Sequence, residues 1–335
     1  MLFQPAIIAL LLAAAVAVLM LAAAAPFALS VLREWDIGSG SERQLVLERR
    51  TYLFSTLVSF VMAIQLAALL LFVFNADRLA VMFVGAMCAV GTLNVNAWGF
   101  PALIVQMLVF FSALVWLAIN HVDNLARDYP LVRAKYGLLL LLLPLLMLNF
   151  WLQYRYFSGL RANVITSCCG SLFSEEAETL TAEVSSLEPR AALWLFYAGM
   201  SVAVASGLLH WRRRGRLDGG WLGIAAAAGF VIALTGVISF ISLYIYEHPH
   251  HHCPFCILKT EYDYRGYALY LPLFGGAAAG MAAGALQCFA AVPSLRAVLP
   301  RVSARLALLS GAGFLMFTLL ATWFVVNSKL ILIES

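Results

Sequence analysis

The stretch Glu247-His248-Pro249-His250-His251-His252-Cys253-Pro254-Phe255-Cys256-Ile257-Leu258-Lys259 holds four of the chain's six histidines and two of its six cysteines, between two long hydrophobic segments. A C-x-x-C pair either exchanges disulfides through a thiolate or holds a thiophilic metal, and imidazole suits the same metals. In an extended chain His248, His250 and His252 point to one side. Together with Cys253 and Cys256 they form a candidate ligand set for zinc or copper. If the following helix begins here, Cys253 falls near its N-cap, Pro254 at its first position and Cys256 on its first turn. Backbone N–H groups and the helix dipole would then favour a thiolate on Cys253 as nucleophile, with Cys256 as the resolving thiol.

The other cysteine pair, Cys168-Cys169 followed by Gly170, is adjacent in sequence. Consecutive α-carbons lie about 3.8 Å apart, closer than the roughly 4.4–6.8 Å usual across a disulfide. A bond between these two would be strained and easily reduced, which suits exchange; alternatively each thiol pairs with Cys253 or Cys256, in passing or as a stable link between loops.

These residues are set in a chain of 335 residues, 63% hydrophobic and 11% charged, far from the roughly one-quarter charged residues of a soluble domain. The composition is that of an all-α polytopic membrane helix bundle, one transmembrane domain over 1–335 embedded in the lipid bilayer. Runs able to cross about 30 Å of hydrocarbon fall at 5–32, 52–75, 79–96, 101–121, 136–157, 191–211, 221–246, 264–288 and 306–328, which predicts nine helices. None shows the alternation of a barrel strand. The first run has no Lys or Arg before Arg33, unlike a cleaved signal, and reads as a retained span.

Arg212, Arg213, Arg214 and Arg216, and Arg296, Arg301 and Arg305, occupy short loops, where the positive-inside rule acts most strongly. With nine spans this places the N-terminus in the cytoplasm of a bacterial cell, the chain in the inner membrane, and both cysteine pairs on the periplasmic face. The pairs then sit in outer loops 158–190 and 247–263. No basic patch interleaved with aromatics points to nucleic acid.

Other features have simpler readings. Ser41 and Gln44 form a possible capping box that would start the second helix early. Gly276, Gly280 and Gly284 give one helix a bare face for close packing. Cys88 and Cys288 fall within predicted spans and read as small apolar residues, and His210 as interfacial. Asn149 and Gln153, one turn apart with Arg155 at the same helix end, are polar groups that could line a quinone pocket or bond neighbouring helices.

The run Leu243-Tyr244-Ile245-Tyr246 through Cys253-Pro254-Phe255-Cys256-Ile257-Leu258-Lys259, followed by a Gly/Ala-rich helix, resembles the disulfide-bond formation protein B family of bacterial thiol:quinone oxidoreductases. The placing of the second pair earlier in the chain is more similar to vitamin K epoxide reductases. The resemblance implies a quinone beside Cys253 and Cys256, with Lys259 as the basic residue after the motif. It also implies that Cys168 and Cys169 trade disulfides with a soluble periplasmic thioredoxin-like partner. Thiol–disulfide oxidoreductase is thus the first expectation. The alternatives are a copper- or zinc-binding protein that serves a periplasmic copper protein, and a transporter or scaffold with structural cysteines.

Overall fold

The computed structural model describes residues 2–161, 164, 166 and 189–330. Cys168 and Cys169 lie outside the described residues. The described residues form helices α1 (Pro5–Glu34), α2 (Glu42–Leu79), α3 (Ala89–Leu93), α4 (Gly99–Leu125), α5 (Val132–Ser158), α6 (Pro189–Arg213), α7 (Arg216–Gly236), α8 (Ser242–Tyr246), α9 (Arg265–Leu286) and α10 (Leu299–Val326). Eight helical segments among them are long and apolar enough to cross a membrane, α7 and α8 counting as one through the π-helical turn Val237–Ile241. In lipid the backbone must satisfy its own hydrogen bonds, which is why such runs are helical.

The count differs from nine at one place. The run 79–96 is not a span: the chain leaves α2, makes a 3-10 turn at Ala80–Met82, passes through Gly85 at φ 87° and closes with the five-residue α3. Eighteen residues is near the lower limit for crossing, and a left-handed residue in the middle breaks any continuous helix. At its other end α2 starts early, as the capping pattern predicts. Ser41 Oγ accepts from Gln44 N–H at 3.3 Å, while the Gln44 side chain accepts from Asp36 N–H instead of closing the box.

The helices fall into two compact units, one of Met1–Ala76, Leu93–Ala162 and Phe289–Leu299, the other of Asp77–Thr92, Asn163–Cys288 and Pro300–Ser335. In the first, α5 packs on α1 and on α4 around Phe27, Trp116, Tyr136 and Leu139. Its interior also holds a charged pair. Lys135 Nζ lies 2.7 Å from Asp123 Oδ2, with the two side chains 1% and 0% exposed. Both fall between the predicted runs 101–121 and 136–157; they are instead buried mates, one on each helix, that lock the α4–α5 hairpin.

In the second unit α7 packs on α6 and α9. A Cβ at Gly280 would stand 2.4 Å from the Ala226 methyl, and one at Gly284 2.6 Å from Gly223 Cα. The glycine stripe is therefore what lets these backbones approach so closely.

Candidate functional site

Cys88, Cys253 and Cys256 come together in the second unit. Their sulfurs all lie within 4.8 Å of one another, and Cys88 Sγ is 3.3 Å from Cys253 Sγ. All three side chains are buried, Cys88 and Cys253 at 0% exposure. Cys88 was expected to be a lone apolar residue in a span. It stands instead one residue before α3, in the irregular segment that replaces that span. Cys288 is exposed in the 3-10 turn Gln287–Phe289.

The C-x-x-C stretch does not head a long helix. Cys253 sits in irregular chain, Cys256 opens a three-residue 3-10 turn, and α9 starts at Arg265. A second 3-10 turn, Thr260–Tyr262, follows, and Asp263 and Tyr264, both at positive φ, separate it from α9. The helix-dipole account of a Cys253 thiolate therefore has no helix to act through. What brings the sulfurs together is hydrogen bonding to neighbouring backbone. Tyr246 Oη donates to the Cys253 carbonyl at 2.5 Å and Tyr270 Oη to the Pro254 carbonyl at 2.6 Å. Gly266 leaves room for this stretch, since a Cβ there would be 3.0 Å from the Ile257 carbonyl carbon.

Lys259 ties the two cysteine-bearing segments to each other. Its ammonium donates to the Met87 carbonyl, next to Cys88, and faces Asp77 Oδ1 at 4.0 Å, while its N–H donates to the Cys256 carbonyl at 3.0 Å. The Cys88 segment is held from its other side by Thr166. The Thr166 N–H donates to the Val84 carbonyl at 3.0 Å and its hydroxyl to the Gly91 carbonyl at 2.9 Å. A Cβ on Gly85 would fall 2.1 Å from the Thr166 carbonyl oxygen, so glycine is required there for space as well as for its φ. In sequence Thr166 precedes Cys168 by two residues.

The histidines take different places. His248 and His250 are exposed, their rings 6.1 Å apart, with His248 Nδ1 accepting the His250 N–H. His251 stacks on Tyr246 at 4.0 Å. His252 Nδ1 lies 2.9 Å from the carbonyl of Ile238, in the π-helical turn. Burial lowers the pKa of both His251 and His252; Cys88 opposes this at His251 and the Ile238 carbonyl at His252, while neighbouring histidines add to it. Neutral His252 can donate its Nδ1 proton to Ile238, anchoring the stretch to the span. Among the described residues the His, Cys, Asp and Glu donor atoms clustered within 4.8 Å are those of the three cysteines, and His248, His250 and His252 are not part of that group.

The residues assigned to a quinone pocket lie in both units. In the first, Asn149 and Gln153 both donate to Gln106 Oε1, at 2.8 and 2.7 Å, and Gln153 also bonds Asn149 Oδ1 at 3.2 Å. Gln106, Asn149 and Gln153 are all buried, and their amides bond α4 to α5. The Arg155 guanidinium lies over the Trp98 ring at 5.0 Å, an aromatic rim contact. Lys259 belongs to the second unit.

Sequence reasoning missed Cys88 because an apolar run of near-spanning length was read as a helix. The available signal was Gly85 and Gly91 on either side of the cysteine, with Asn94 and Asn96 just beyond. No family model, curated protein or solved structure matches the chain.

Proposed function

We propose that this is a multi-pass membrane protein that binds a thiophilic metal ion, copper(I) before zinc, through Cys88, Cys253 and Cys256, and passes it to a soluble copper protein. One observation carries the reading: three buried sulfurs converge from two segments far apart in sequence. With metal–sulfur bonds near 2.3 Å, thiolates around one ion stand about 3.8–4.0 Å apart, inside the spread seen here. Soft thiolates select copper(I) or zinc. Structural zinc prefers four protein ligands, and among the described residues the group offers three sulfurs, which favours copper(I). The buried cluster is also poorly placed for direct attack by a bulky thioredoxin-like partner. Exposed His248 and His250 stand on the same stretch as the site, where an incoming ion would first meet imidazole.

Sidedness follows from the span count. Counting the eight spans of the described residues, the segments 83–98 and 247–264 share a face, opposite the loops at 126–131, 214–215 and 290–298. The positive-inside rule assigns the arginine-rich second set to the cytoplasm. The cysteine cluster then faces the periplasm of a bacterial inner membrane. The N-terminal end lies on that same side, the reverse of the nine-span expectation.

Thiol–disulfide exchange is the second reading, favoured by the 3.3 Å approach of Cys88 and Cys253. In it two thiols form a disulfide and give two electrons and two protons to a quinone. Anaerobic loading of purified protein with copper(I) against a competing chelator separates the two. One copper per chain, lost in Cys88→Ser, Cys253→Ser and Cys256→Ser and kept in Cys288→Ser, supports the metal site. Metal-free protein in which a Cys88–Cys253 or Cys253–Cys256 disulfide follows the quinone/quinol ratio overturns it.

A further inference from the structure

Within the first unit a groove of about 610 Å³ opens between the C-terminal part of α1 and the N-terminal part of α2. Its size is that of a small-molecule site, roughly 300–1,000 Å³. One face of each helix lines it: Ala23, Pro26, Phe27, Ser30 and Glu34 on α1, and Arg43, Leu47, Arg50 and Phe54 among those on α2, at helical three- and four-residue steps. From Glu34 to Ala23 the groove runs about 16 Å along the helix at 1.5 Å per residue, around half the hydrocarbon thickness. It is polar at the loop end and apolar beyond, where Phe27 and Phe54 stack at 4.8 Å.

The charges in it are unequal. Arg43 is paired with Glu34 at 2.5 Å. Arg50, two turns further along α2, is exposed and has no ion pair among the described residues. An exposed arginine lining a groove beside aromatic and aliphatic side chains offers an anion a partner, and its fork matches the two oxygens of a phosphodiester. We infer that this groove binds one acidic glycerophospholipid, with its phosphate on Arg50 and an acyl chain against Phe27 and Phe54. The groove's net positive charge selects an acidic lipid over a zwitterionic one, which brings its own cation.

The test uses the full chain reconstituted in nanodiscs of equal parts phosphatidylglycerol and phosphatidylcholine, then released into mild detergent, with retained lipid identified by native mass spectrometry. The wild type should retain phosphatidylglycerol preferentially. Arg50→Gln should lower that retention about tenfold or more, the loss of a charge-assisted hydrogen-bonded contact. Arg49→Gln, the same charge change one residue away and outside the groove, should retain it. Ala23→Trp, which fills the apolar end without altering charge, should also lose it, and unchanged copper(I) or thermal behaviour in each variant shows that the chain is folded. Equal losses in Arg49→Gln and Arg50→Gln would reduce the effect to bulk charge and overturn the site. So would retention of phosphatidylcholine at the same level, or displacement by glycerol phosphate without acyl chains.

Discussion

Lys135→Met removes the cation of the buried pair in the first unit. In the folded chain Lys135 Nζ contacts Asp123 Oδ2 at 2.7 Å, Asn120 Oδ1 at 3.1 Å and Ser55 Oγ at 3.2 Å, one acceptor for each of its hydrogens. Two of these acceptors have other donors or lose little. Asn120 Oδ1 and Ser55 Oγ keep their mutual hydrogen bond, Ser55 donating at 2.6 Å; on Asp123 the other oxygen, Oδ1, still accepts the Leu131 N–H at 2.7 Å. What is left stranded is the charge on Asp123, at 0% exposure. Removing one partner of a buried pair costs about 3–5 kcal/mol because the remaining charge is uncompensated. Asp123→Asn in the same chain removes that charge and keeps an oxygen for Leu131. The double variant should therefore recover at least about half of the loss, a coupling of roughly 2 kcal/mol or more.

The assay is thermal unfolding of the four proteins of this cycle in one detergent, followed by circular dichroism and by exposure of buried thiols. Lys135→Met should unfold well below the wild type, with the double variant between them. Equal midpoints for Lys135→Met and wild type, or strict additivity of the two changes, would refute the reasoning. Either result would mean that the pair is solvated or compensated in the membrane-like environment.

Cys88→Ser should abolish copper(I) retention as fully as Cys253→Ser, whereas Cys288→Ser leaves one copper per chain; metal analysis after chelator challenge decides it. Lys259→Met frees the Met87 carbonyl from the C-x-x-C segment and should weaken copper(I) about 10–100-fold, as loss of a group that positions ligands does. An unchanged affinity would mean that Lys259 does not align the sulfurs. Gly85→Ala puts a methyl 2.1 Å from the Thr166 carbonyl oxygen on left-handed backbone. Strain of about 1–2 kcal/mol and loss of a hydrogen bond near 1 kcal/mol should weaken copper(I) by about tenfold or more without touching a ligand. Titration of metal-free protein with copper(I) reads both variants, and an unperturbed Gly85→Ala would show that the Cys88 segment tolerates displacement.

The all-helical, multi-pass character of this chain, most of its spans and the early start of α2 follow from local sequence. They depend on hydropathy, on the need to bond the backbone internally, and on a cap three residues long. The glycine stripe of α9 is legible for the same reason, since its spacing alone makes one face bare. The segment around Cys88 is different: its composition is apolar enough for a helix, and only packing against Thr166 and the Lys259 contact to Met87 settle it as irregular chain. The C-x-x-C stretch likewise reads locally as a helix cap, but positive φ at Asp263 and Tyr264 delays α9 to Arg265. The polar groups of α4 and α5 could be counted from sequence, but not assigned: Asp123 and Lys135 are charges that find each other, and Asn149 and Gln153 bond Gln106. Residue type and spacing determined which groups could bind metal or exchange thiols. That the third sulfur is Cys88, 165 residues from Cys253, was decided only in three dimensions, because contacts across such separations leave no periodicity in the chain.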